Sequence, residues 1–142
     1  MLEIRKAKPG DAEDLCKLMS ELVGHTCELE TLREQLALIL ADPHYGLFVA
    51  DDGGRVAGTV MGIACYDLAF NGQKFGIIEN VITDADYRGQ GVGRRLFEAV
   101  EQWAAGQGCA YIQLVSSAYR TGAHQFYEKI GYTREGGFRK RF

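Results

Sequence analysis

The sequence predicts an α/β (α+β) fold, with a mixed central sheet of about six to seven strands and helices on both faces. Three observations carry that reading. Apolar residues recur at helical spacing in some segments and alternate, or run continuously, in the segments between them. Hairpins in the middle of the chain give way to crossover helices, in the order β-α-α-β-β-β-α-β-α-β-β. A glycine-rich run, Arg88-Gly89-Gln90-Gly91-Val92-Gly93, sits between an apolar strand and an amphipathic helix.

Leu2 to Ala7 reads as a short strand. Pro9-Gly10-Asp11 then opens a helix, with Asp11 as its N-cap, and Leu15, Leu18, Met19, Leu22 and Val23 form its apolar stripe. A second helix runs from about Glu28 to Ala41, with Leu29, Leu32, Leu36, Ile39 and Leu40 on one side and Pro43 just past its end. Gly46 to Ala50 is an apolar strand, and Asp51-Asp52-Gly53-Gly54 is a turn. Arg55 to Tyr66 and Lys74 to Thr83 are the next strands, with a turn at Asn71-Gly72. After the glycine run, Leu96, Phe97, Val100 and Trp103 form a helical stripe that ends near Gly106 to Gly108. Ala110 to Val115 is a strand, and a short helix from about Thr121 to Ile130 stops at Gly131. In the tail, Phe138, Lys140 and Phe142 alternate with Arg139 and Arg141, which is a strand pattern.

Length and composition narrow the function. A chain of 142 residues suits one domain spanning 1–142. Hydrophobic residues at 46% and charged residues at 25% suit a water-soluble protein. The formal net charge of -3 argues against general nucleic-acid binding. Met1 to Lys6 does not read as a signal peptide, and no apolar run is long enough to cross a membrane. Cys16, Cys27, Cys65 and Cys109 are far apart, as are His25, His44 and His124, so no metal-ligand spacing arises. These features predict a cytoplasmic protein with reduced thiols and no metal.

The glycine run is an anion site in outline. Its glycines allow a tight turn and close backbone approach, and the amides of the following helix point outward with the positive end of the dipole behind them. A nucleotide P-loop would need Lys-Ser/Thr after the last glycine, where Arg94-Arg95 stands. A dinucleotide fingerprint would need Gly-x-Gly-x-x-Gly and an acid at the end of the next strand, where Leu114-Val115-Ser116-Ser117 stands. What remains is an Arg/Gln-x-x-Gly-x-Gly/Ala loop.

With that loop the chain resembles the GNAT superfamily of acyl-CoA-dependent N-acyltransferases. The resemblance runs through Glu79-Asn80-Val81-Ile82-Thr83, Asp84-Ala85-Asp86-Tyr87, the loop Arg88 to Gly93, and Ala123-His124-Gln125-Phe126-Tyr127-Glu128-Lys129-Ile130-Gly131-Tyr132. It covers nearly the whole chain and implies a GNAT-like sheet. It implies that Arg88, Gly89, Gln90, Gly91, Val92, Gly93 and Arg94 bind the pyrophosphate of acetyl-CoA. It also implies that Val81, Ile82 and Thr83 offer backbone groups to the pantetheine arm, through ladder positions that a splayed neighbour leaves unpaired. The Val81 amide is then the donor to the thioester carbonyl. A homodimer is implied as well.

Acyl transfer to an amine needs a neutral amine, a stabilised oxyanion and a protonated leaving thiolate. The resemblance makes Tyr127 the acid. Unperturbed Tyr and Cys pKa values, about 10 and about 8.5, keep that proton transfer close to balanced. Spacing alone gives another role: Ala123, Phe126, Tyr127 and Ile130 form an apolar stripe, with Tyr127 a core aromatic. Glu79 interrupts an apolar strand and is either the base for the amine or a buried structural acceptor needing a partner. Arg120 stands where many family members carry asparagine, a departure shared with a subgroup that includes aminoalkylphosphonate N-acetyltransferases. It contacts the cofactor or is a solvated helix-start residue. His124 is one turn before Tyr127, within reach of a shared network. Arg134, Arg139, Lys140 and Arg141 form a solvated face or attract an anion; Glu28, Glu30 and Glu34 suit a cation equally well. The segment Gly24 to Glu30 corresponds to the acceptor wall in the resembled family. None of the four cysteines has a base beside it in sequence, which points to direct transfer. The expected activity is acetyl transfer to a primary amine of a small molecule. The alternatives are a protein or peptide N-acetyltransferase and a non-catalytic acyl-CoA sensor.

Overall fold

A computed structural model describes residues 2–116 and 121–142. Its sheet holds β1 (Leu2–Lys6), β2 (Tyr45–Asp52), β3 (Arg55–Cys65), β4 (Lys74–Thr83) and β5 (Cys109–Gln113), side by side in that order. Neighbours are antiparallel from β1 to β4, and β5 runs parallel to β4. Helices α1 (Ala12–Val23) and α2 (Leu29–Ala41) follow β1, α3 (Val92–Gly106) is the crossover from β4 to β5, and α4 (Thr121–Lys129) follows β5.

Six to seven strands were expected; among the described residues the sheet has five, and the tail beyond α4 carries no strand. Alternation in sequence makes a strand only where one face is buried. Phe138 and Phe142 are fully exposed, and Gly136-Gly137 supplies no side chain to pack. Asp11 is the N-cap residue of α1 as expected, but its side chain makes no capping bond to the helix. Its carboxylate accepts instead from both Arg5 guanidinium arms (2.8 and 2.9 Å) and from the Lys8 amide, tying the start of α1 to β1.

Two apolar cores lie on the two faces of the sheet. Leu15 and Leu18 of α1 and Leu36 of α2 pack against Leu47, Val49, Met61 and Ile82. Leu96, Phe97 and Val100 of α3 pack against Phe48, Ala50, Val60 and Ile78 on the opposite face. The α3 side is shaped by missing side chains. A Cβ on Gly62 would fall 2.7 Å from Val100 and 2.9 Å from Trp103, and one on Gly46 would fall 2.5 Å from Trp103. The indole therefore lies directly on bare backbone. Gly62→Ala is expected to destabilise the fold by about 1–3 kcal/mol through overpacking. Trp103 is the only tryptophan, so its fluorescence in a denaturant titration reads the change. An unaltered midpoint would show that the indole has room to spare.

Candidate active site

The glycine loop opens α3. Gly89 and Gly91 have φ values of 77° and 80°, a region where a Cβ collides with the following carbonyl. Gly91 is the residue immediately before the helix, and among the described residues nothing beyond the chain neighbours comes within 4 Å of where a Cβ on either glycine would lie. Gly93 is different: a Cβ there would meet the Phe126 ring at 3.4 Å, so α4 packs on the first turn of α3. The amides at the start of α3 thus face open space, with the helix dipole behind them.

The link before the loop is braced. Arg55 pairs with Asp84 (3.1 Å) and Asp86 (2.9 Å) and lies over the Tyr87 ring, 5.1 Å from its centre. The Tyr87 hydroxyl donates to Asp52, which pushes the phenol pKa up. The loop is therefore held by the β2–β3 hairpin.

The two arginines of the loop do different things. Arg88 donates to the Thr83 carbonyl (3.2 Å) and pairs with Glu21 of α1 (2.9 Å). Arg94 is exposed and, among the described residues, makes no hydrogen bond or ion pair. Gln90 turns its side chain back to the Asp86 carbonyl (3.2 Å). Of these two arginines, only Arg94 has a cationic head free to move toward a phosphate.

β4 parts from β5 as it approaches the loop. The last parallel partners are Ile77 and Gln113, so among the described residues Ile78 to Thr83 have no strand on that side. At about 3.3 Å per residue, roughly 13 Å of strand separates Ile77 from Val81. A second irregularity coincides. Asn80 has φ 56°, and the register with β3 slips between Thr59 and Met61. This is a β-bulge, and it reverses the alternation. Ile78 and Val81 both pack on the α3 side, while Glu79 (opposite Met61) and Ile82 belong to the α1/α2 side. Sequence reading had not anticipated the bulge. Two consecutive polar residues in an apolar strand, the second an asparagine, were the available signal.

Tyr127 is half-buried on α4. Its ring packs with Phe97 (5.7 Å between centres), Phe126 (5.6 Å) and Tyr132 (6.2 Å), in the same cluster as Val81. Tyr132 donates to Glu101 of α3 (2.8 Å), and burial, followed by that bond, raises its pKa strongly. The ring thus packs in the core cluster, as its spacing predicts. Glu79 departs from its expected partial burial. It is exposed and, among the described residues, has no hydrogen-bond or ion-pair partner. An exposed carboxylate is hydrated and needs none. His124 accepts from Arg134 (3.1 Å). Arg120 lies outside the described residues.

The α1–α2 connection is pinned by short contacts. Ser20 donates to the Cys16 carbonyl and receives the Cys27 amide, both at 2.9 Å, and the Cys16 thiol donates to the Cys27 carbonyl (3.1 Å). An open hollow of about 370 Å³ beside Cys16 and Cys27 contains none of the candidate catalytic groups. Burial, then the Cys16 contact, pushes the Cys27 thiol up to about 11, and burial raises Cys65 and Cys109 as well. Raised thiols are poor nucleophiles at neutral pH. Among the described residues no group of three or more His, Cys, Asp or Glu is placed to hold a metal ion, and no helix is long and apolar enough to cross a membrane.

A glycine loop at a helix start, reached along an unpaired strand edge, defines a class. The sequence profile of the Acetyltransferase (GNAT) family matches residues 12–132, and the chain belongs to that family. It is similar to N-acetyltransferase 8 of Rattus norvegicus, 31% identical over 97 residues that make up 68% of this chain and 43% of the relative. It is also similar to aminoalkylphosphonate N-acetyltransferase of Salmonella typhimurium, 28% identical over 92% of this chain and 84% of that one. The chain thus spans less than half of the first relative's length. Among solved structures, a protein from Bacillus halodurans C-125 described as a transcriptional regulator superposes with a TM-score of 0.92. It is 27% identical, and all of both chains is covered.

Proposed function

We propose that this chain is an acetyl-CoA-dependent N-acetyltransferase that moves the acetyl group directly to a primary amine of a small molecule. One observation carries the reading: the unpaired edge of β4 leads straight to the open amides at the start of α3. Both features fit coenzyme A. The amides and Arg94 suit its pyrophosphate, with Gly89, Gln90, Gly91, Val92 and Gly93 forming the turn. Val81, Ile82 and Thr83 suit its amide-bearing arm, although the Thr83 carbonyl already accepts from Arg88. Arg88 serves better as a brace to Glu21 than as a phosphate ligand. When bound, the cofactor supplies the activated acetyl group.

The two candidate proton carriers lie on opposite faces of the sheet. Glu79 projects on the α1/α2 side and takes a proton from the amine. Tyr127 packs on the α3 side and returns one to the departing sulfur. The C–S bond breaks as the N–C bond forms, and the gap between β4 and β5 is the passage between the faces. The raised thiols support direct transfer over an acyl-cysteine route. The reading extends to a homodimer in the cytoplasm.

Thiol release from acetyl-CoA across a panel of amines, including aminoalkylphosphonates, polyamines and aminoglycosides, tests the activity. At least one amine should raise release well above the amine-free rate. The rival is a coenzyme A-binding sensor, which the description of the Bacillus halodurans neighbour brings in. Binding without release from any amine would favour it. Glu79→Gln is expected to lower kcat/KM about tenfold at pH 7. The loss should shrink toward pH 10, where alkylamines, like lysine at about 10.4, are already becoming neutral. A loss that stays constant with pH would remove Glu79 as the base.

A further inference from the structure

A cavity of about 120 Å³ lies between α1, α2 and the sheet, and Asn80 of the bulge forms part of its wall. Most of the lining is apolar, including Met19, Leu36 and Met61, and no charged side chain contributes. The polar lining residues are Thr59, Gln35 and Asn80. The Thr59 hydroxyl is already used, donating to the Phe48 carbonyl (2.9 Å). The Asn80 amide nitrogen reaches only the Met61 sulfur, at 3.9 Å. Gln35 is exposed and stands at the mouth. The cavity is thus a neutral, mostly apolar space that begins one residue from Glu79 and one from Val81, on the face to which Glu79 projects.

We infer that this cavity seats the apolar end of the acceptor, so that the preferred substrates are primary amines carrying a short, uncharged aliphatic or small aromatic group. The inference rests on the N-acetyltransferase reading and names the substrate class for it. A dry cavity of about 150 Å³ takes a benzene ring, so this one suits about a butyl group. A phosphonate or a second ammonium placed here would lose its hydration with no counter-charge to replace it. The lone Asn80 amide, beside the bulge, is positioned to orient the amine end rather than to solvate a charged tail.

The test is kcat/KM for ethylamine, propylamine and butylamine, measured beside 2-aminoethylphosphonate and spermidine with acetyl-CoA as donor. The expected result is a rise of about fourfold per methylene, from burial of each added group. The two charged amines should fall well below butylamine. Gln35→Trp, at an exposed position, and Met19→Trp, at a half-buried one, should each flatten the chain-length slope. Coenzyme A binding measured by calorimetry shows that each variant is folded. A flat slope in the parent protein overturns the inference, as does a slope that survives both tryptophans. A slope that appears with longer acyl donors instead of longer amines also overturns it. Charged amines turning over faster than butylamine sink it while leaving the N-acetyltransferase reading intact. Bound coenzyme A with no release from any amine removes both.

Discussion

Tyr127→Phe is expected to lower kcat by about 100-fold or more while the KM for acetyl-CoA moves by no more than about threefold. The phenylalanine ring keeps the contacts with Phe97, Phe126 and Tyr132, so the wall of the site and the packing of α4 stay as they are. Only the hydroxyl is lost, and with it the proton for the leaving sulfur. Steady-state kinetics with a responsive amine decide the matter. An unchanged kcat would leave Tyr127 as a core aromatic and nothing more.

Gly91→Asp is expected to weaken coenzyme A binding by about 100-fold or more in calorimetry. Two effects add. The residue sits at φ 80°, where any Cβ costs about 1–2 kcal/mol. The new carboxylate would also stand where the pyrophosphate is proposed to lie, and like charges about 4 Å apart near a protein surface repel by about 4 kcal/mol. Gly91→Ala separates the two, because it carries the strain without the charge and should lose far less affinity. An acid beside the start of α3 is otherwise favourable to the helix dipole, so the Asp variant should stay folded. Equal affinity in the parent protein and the Asp variant would place the pyrophosphate elsewhere.

Elements with strong periodicity were legible without the structure. β4 runs from Lys74 to Thr83 as expected, and the stripe of Leu96, Phe97, Val100 and Trp103 lies on α3. The tail was misread because alternation reports a pattern and not a partner, and Phe138 and Phe142 bury nothing. The glycine loop was legible because its backbone requirement falls on residue type. The roles of its arginines were not. Whether a guanidinium reaches a phosphate or a neighbouring acid depends on Glu21, which is remote in sequence and adjacent only in the fold. Glu79 illustrates the same limit. Its strand context suggested burial, yet the fold leaves it exposed, opposite Met61.

That bulge also sets a rule for what the strand tolerates. The β4 segment keeps two phases of in-and-out order, one before Asn80 and one after it. Straightening the strand without removing a residue would undo that order, sending Val81 toward α1 and Ile82 toward α3. The left-handed backbone at Asn80 therefore decides which face each later side chain of β4 reaches.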